Sequence, residues 1–232
     1  MRKTIVAIGA AMGMAVSMAG TASAATTTIP EPTVIYSAGD PVVETTSLDG
    51  VGSLFISTPL SGDKATVGVT DAGNITLGEL ESLSYRSLRE AGALQQTVSL
   101  NITVSPWAGT FVYEPVYDSA YTVETGVWQT FESIGDTGGW WKTGDGPTFT
   151  SFAEQIEGFE DSVITSISVN QGSGNPGLMT YTDWVEVNGE RFDFEPLVLT
   201  KDDCKDGGWE TNFDVGQYKN QGQCVSEFAR AE

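Results

Sequence analysis

The sequence predicts an all-β protein: an antiparallel β-sandwich with one short helix and a small disulfide-stapled appendage at its C-terminal end. Three observations predict it. Short apolar runs recur along the 232 residues between Gly-, Ser- and Thr-rich breaks, with 27 glycines in all. Such a texture suits many strands joined by turns. The segment 98–104 alternates strictly, with Val98, Leu100, Ile102 and Val104 on one face and Ser99, Asn101 and Thr103 on the other. A period of two marks a half-buried strand. Finally, Asn188-Gly189 stands between two alternating runs, and this pair readily adopts the positive φ of a two-residue hairpin turn.

The elements follow in order. Arg2 and Lys3 precede an uncharged apolar run from Ile5 to Met18, and Ala22-Ser23-Ala24 offers small residues for cleavage. Residues 1–24 therefore read as a secretory signal peptide, because the run is shorter than the roughly 20 residues that span a bilayer. The expectation is a secreted, extracellular chain with no membrane insertion. Residues 25–196 form the sandwich domain, opening on a Thr- and Pro-rich flexible lead-in over 25–32. Strands are expected over 51–58, 65–70, 74–78, 83–88, 98–104, 111–114, 127–132 and 163–169. In the last of these, Val163, Thr165, Ile167 and Val169 share a face by period two. Ser151 and Glu154 have the spacing of a capping box, and Phe152, Ile156 and Phe159 then form one stripe. That helix would close one end of the sandwich. Segments 183–187 and 190–195 make the closing hairpin.

Residues 197–232 change texture, becoming polar and Gly-rich. They hold the chain's two cysteines, Cys204 and Cys224. In an oxidising compartment this pair is expected to form a disulfide, and a loop of that length gains about 3 kcal/mol in the chain-entropy account.

Charge excludes some partners. There are 31 Asp and Glu against 11 Lys and Arg, a formal net charge of −20. Loss of the leader would remove Arg2 and Lys3 and no acid, so the mature chain is more acidic still. Nucleic acid and anionic membranes call for basic surfaces, so neither is an expected partner. The chain has no histidine. Triads built on imidazole are therefore absent, and two cysteines alone do not complete a zinc shell.

Carboxylates are the remaining route to catalysis. The run Glu190-Arg191-Phe192-Asp193-Phe194-Glu195 has a superficial likeness to the acid-bearing strand of laminarinase-like glycosidases, which carry three acids on one face. The pleat separates the acids here. Glu190 falls with Phe192 and Phe194, while Asp193 and Glu195 fall with Arg191. No catalytic residue is expected, and no cofactor. Asp183 shares the period-two face of Val185 and Val187 and needs a partner there. That partner is either backbone N–H groups or a structural Ca²⁺.

Aromatics offer a binding route. Trp140 and Trp141 are adjacent in a Gly- and Asp-rich surround. Neighbours in a strand point to opposite faces, so one packs inward and the other faces out. An exposed indole can stack on a sugar ring through its apolar face. Tyr117 and Tyr121, with Tyr113 between strand and turn, could extend the same rim; Trp107, Trp128 and Trp184 read as structural. Asn74-Ile75-Thr76 and Asn101-Ile102-Thr103 match the N-glycosylation acceptor pattern.

The strand TVSLNITV, the segment VETGVWQTFESIGDTGGWWKT and the hairpin YTDWVEVNGERFDFEP together resemble a secreted bacterial jelly-roll of the galactose-binding-like and carbohydrate-binding-module kind. The resemblance covers about Leu83 to Pro196. The ending KDDCKDGGWETNFDVGQYKNQGQCVSEFA is similar to a tail on uncharacterised secreted proteins of actinobacterial type. These resemblances imply an exported jelly-roll-like sandwich whose sugar sites lie on a concave sheet face or at a loop rim. The implied function is a non-catalytic module for extracellular carbohydrate or surface interaction. The alternatives are a carboxylate glycoside hydrolase and a structural exported protein.

Overall fold

The computed structural model describes residues 25–135, 138–146, 148–196, 200–211 and 216–231. The leader expected over residues 1–24 and the boundary expected at residue 197 lie outside them. Among the described residues the chain builds a seven-stranded and a six-stranded sheet. In chain order the strands are β1 (Thr26–Thr28), β2 (Thr33–Ala38), β3 (Val42–Leu48), β4 (Val51–Thr58), β5 (Lys64–Thr70), β6 (Leu83–Ala91), β7 (Ser99–Ser105), β8 (Thr110–Tyr113), β9 (Trp128–Glu132), β10 (Trp140–Lys142), β11 (Val163–Gln171), β12 (Leu178–Val187) and β13 (Glu190–Asp193). The helices are α1 (Phe152–Gln155), α2 (Gly208–Thr211) and α3 (Gln221–Ala231).

Four strands of each sheet follow jelly-roll order. The run β4-β12-β6-β9 lies in one sheet and β5-β11-β7-β8 in the other. This is the arrangement of interlocked Greek keys in which successive strands switch sheets. Additional strands extend the edges. β3 lies beyond β4, and β13 runs along the C-terminal half of β12; β2 lies beyond β5, and β10 beyond β8.

The alternation read in the sequence sets the core. Leu100, Ile102 and Val104 of β7 point between the sheets, with Val67 of β5 and Val169 of β11. Leu54 and Ile56 of β4, Tyr85 of β6 and Phe192 of β13 meet them from the other sheet. Each such side chain contributes about 1.5–3 kcal/mol by leaving water. One polar group bridges the layers at the end of β11. The Gln171 amide donates to Thr58 Oγ1 at 2.7 Å and to the Leu178 carbonyl at 2.9 Å, and its oxygen accepts from Thr180 Oγ1 at 2.7 Å. All its polar atoms are thereby satisfied in a buried position.

The hairpin forms as expected. Asn188 (φ 47°) and Gly189 (φ 80°) both adopt left-handed backbone. Asn188 also ties the turn down: its oxygen accepts the N–H groups of Glu81 and Ser82, and its amide donates to the Glu79 carbonyl. The Ser151–Glu154 capping box is present, but α1 is a single turn. Phe152 packs on Trp140 and Phe159 on Phe111, so the segment does cover one end of the core.

Four expectations are corrected. The lead-in is not loose throughout, since β1 pairs in parallel with β13 and places Thr26 opposite Arg191. Residues 74–78 form no strand. Asp71 caps a tight turn at Gly73, Asn74 takes φ 67°, and Thr76 with Glu79 caps a second turn. In β11 the register against β7 shifts between Ile164 and Ser166. That bulge changes phase, so Ile164 is buried instead of Val163 and Thr165. A further bulge in β12, between Thr182 and Trp184, makes Asp183 the extra residue. Asp183 therefore leaves the period-two series of Val185 and Val187.

The appendage is stapled by Cys204–Cys224. Tyr218 and both cysteines are buried there, and Trp209, Val225 and Phe228 pack against them in a cluster separate from the sandwich core.

Candidate functional site

The outward face of the six-stranded sheet carries the candidate site. The same alternation that buries Leu100 and Ile102 turns Ser99, Asn101 and Thr103 away from the core. Neighbouring strands contribute residues in register. Asn101 lies beside Val112 of β8 and Ser168 of β11, and Trp141 of β10 lies beside Val112. A second row runs from Ser99 through Asn170 and Thr66 to Tyr36. Small polar side chains thus floor the middle of the sheet, with aromatic rings towards its edges.

Three contiguous depressions follow from this arrangement. The central one, about 270 Å³, is bounded by Trp141, Val112, Thr110, Asn101, Glu114 and Lys64 among others. A second, about 330 Å³, continues past Asn101 and Thr110 to Trp107 and Tyr36. A third, about 210 Å³, continues from Glu114 and Asn170 towards Leu94 and Gly174. Shared lining residues join them into one open groove running across the strands. From β10 to β2 is five strand spacings, about 24 Å.

The floor is held rigidly. Asn170 accepts from Thr66 Oγ1 and donates to Ser99 Oγ, each at 2.9 Å, which links β5, β11 and β7. Trp141 donates its indole N–H to Glu114 Oε2 at 2.8 Å. Burial pushes the Glu114 carboxyl above the usual glutamate range, and the indole N–H partly opposes that shift.

Of the aromatic residues singled out from sequence, the groove takes one. Trp141 lies in it. Trp140 is 0% exposed and belongs to the core, with its ring against Tyr113 and Phe152 and its N–H on the Ser133 carbonyl at 2.5 Å. It cannot present a face to a ligand. Gly139 before the pair has φ 103°, and a Cβ there would meet the Tyr113 ring at 2.9 Å, so glycine is required for this entry. Tyr117 is exposed but stacks on Phe149 at 3.8 Å and borders none of the three depressions. Tyr121 packs on Phe131, and its hydroxyl accepts the Glu132 N–H.

Two aromatic residues of the groove were not foreseen. Trp107, read as structural, is 70% exposed and walls the depression next to Tyr36, itself 55% exposed. Trp107 lies in the turn between β7 and β8, where alternation gives no facing signal. The available clue was its position directly after the strongest strand and Pro106. Trp128 and Trp184 do pack structurally, beneath the guanidinium groups of Arg86 and Arg191 at 4.9 and 4.1 Å.

Asp183 takes a side-chain cation as its partner. Its carboxylate pairs with Arg86 at 2.6 Å, a cation where a metal would require further oxygens. Among the described residues no group of three or more Asp, Glu, Cys or His is placed to hold a metal ion. The acids of 190–195 lie away from the groove, on β13 and beyond it. Phe192 and Phe194 are buried, while Arg191 and Asp193 turn to the other face.

No protein-family model matches the chain, and no match is found among curated proteins. Solved structures described as family 30 carbohydrate-binding modules superpose on it. One has 12% identity and a TM-score of 0.41, covering 73% of this chain and 86% of its own. Another has 15% identity and a TM-score of 0.39, covering 65% and 90%. A likeness at that level fixes neither topology nor ligand.

Proposed function

We propose that this protein is a non-catalytic carbohydrate-binding module that takes a polysaccharide chain in the groove across its six-stranded sheet. One observation carries the reading: aromatic rings, the half-buried Trp141 at one side and the exposed Trp107 with Tyr36 at the other, border a floor of Asn, Ser and Thr side chains. Aromatic faces stack on the apolar faces of sugar rings, while amide and hydroxyl groups exchange hydrogen bonds with sugar hydroxyls. Length supports a chain over a single sugar, because the groove is open and extends over several strands.

The lining also favours binding over cleavage. Glycoside hydrolysis by carboxylates takes a pair of them flanking the scissile bond. Among the described residues lining the three depressions, Glu114 is the one carboxylate and Lys64 the one ammonium. With the leader expected at residues 1–24, the module would act outside the cell.

Affinity electrophoresis of the protein through gels holding soluble polysaccharides, run beside a reducing-sugar assay, tests this. Retardation by at least one polysaccharide without sugar release is expected, with retardation lost in W141A and W107A. Migration unchanged in every gel, together with no adsorption to insoluble glycans, overturns the proposal. Sugar release by the wild type overturns its non-catalytic part.

A further inference from the structure

Glu114 follows β8 and borders two of the three depressions. Its backbone N–H donates to the Gly139 carbonyl at 2.9 Å, tying its start to the turn that leads into β10. Its carboxylate accepts the Trp141 indole N–H at 2.8 Å. Trp141 sits on a three-residue edge strand and is half-buried. Among the named strands β10 pairs with β8 alone, so the indole has a strand neighbour on one side only. The bond to Glu114 supplies a fixed direction. The same bond offsets part of the cost of holding a carboxylate in a partly desolvated place.

We propose that Glu114 is the positioning residue of the groove, holding the Trp141 ring in the orientation that receives a sugar. This rests on the carbohydrate-binding reading above for its consequence, though not for the contact itself. A charged acceptor holds an N–H more firmly than a neutral one. Acidification therefore loosens the ring as Glu114 takes up a proton. Two titratable groups of neighbouring strands face it among the described residues. Lys64 of β5 lines the same depression, and the Tyr85 phenol of β6 feels the Glu114 charge from the core side.

The test has two arms. In the first, without ligand, the indole ¹H–¹⁵N resonance of Trp141, assigned by its absence in W141F, is followed with pH. It should titrate with a midpoint above the ordinary glutamate value, and the titration should vanish in E114Q. In the second, affinity is measured for a polysaccharide that retards the wild type. E114A should weaken it about tenfold or more, and E114Q about threefold, since an amide oxygen still accepts the N–H though less strongly. An indole resonance that is insensitive to pH and unchanged in E114A overturns the positioning role. So does affinity equal to wild type in E114A. If the wild type binds no polysaccharide, the groove reading fails, while the first arm still decides whether Glu114 holds Trp141.

Discussion

Trp140 and Trp141 are consecutive in the chain and serve opposite sides of one sheet: the first is sealed in the core against Tyr113 and Phe152, and the second faces the groove and bonds Glu114. Substitution should separate them cleanly. W140A removes a fully buried ring and should cost about 3–5 kcal/mol of stability. W141A should cost clearly less stability than W140A and abolish retardation by polysaccharide. Thermal melts and affinity gels on the two single variants check this pair of outcomes.

The bridge made by Gln171 joins the two sheets through three hydrogen bonds. Q171A leaves Thr58, Thr180 and the Leu178 carbonyl without that partner. Stability should fall by about 2–3 kcal/mol, read from urea unfolding. Gln171→Glu should be at least as damaging, because it places a buried acid opposite a carbonyl that needs a donor.

Asp193 sits where its charged form is disfavoured. Burial lifts its carboxyl above the usual aspartate range, the neighbouring charges of Asp183 and Glu195 lift it further, and Arg191 opposes them. The sign follows from proton linkage. Between the ordinary aspartate value and the raised one, the folded state binds more protons than the unfolded state, so stability falls as pH rises through that window. D193N should raise the melting temperature at pH 7 and flatten the slope in the window above the ordinary aspartate value. A variant that melts lower at pH 7 than the wild type contradicts this.

Arg86 pairs with the buried Asp183 at 2.6 Å while its guanidinium lies over Trp128. R86A should leave Asp183 and Asp193 facing each other without that cation. A loss of about 2 kcal/mol is expected, below that of fully buried pairs because Arg86 is partly solvated. D183N/R86A should recover part of it, and equilibrium unfolding of the single and double variants measures the coupling.

Much of this architecture was legible in the residues. Val98 to Val104 alternated without a fault, and Asn188-Gly189 carried its own turn chemistry, so β7 and the β12–β13 hairpin formed as read. The signal failed where one residue broke the period. Thr165 and Asp183 sit at bulges, and a bulge reverses every facing assignment beyond it. β1 was missed for another reason: it is three threonines whose role comes from pairing with a strand far along the chain. For the groove, Trp141 was readable as half of an in–out pair, whereas Trp107 stands in a turn and Tyr36 on an edge strand. Their convergence is a product of strand order, which no local pattern encodes.

Asn101 gives the groove a practical consequence. It stands on the floor of the central depression, and it is also the first residue of an Asn-Ile-Thr acceptor triplet. Made in a eukaryotic secretory host, a chain decorated at that residue would carry its own sugar where an external one should go. Material from such a host could fold well and still fail every binding assay. The choice of expression system thus decides whether the groove face is open, and T103A, which removes the triplet while keeping Asn101, is the form to produce there.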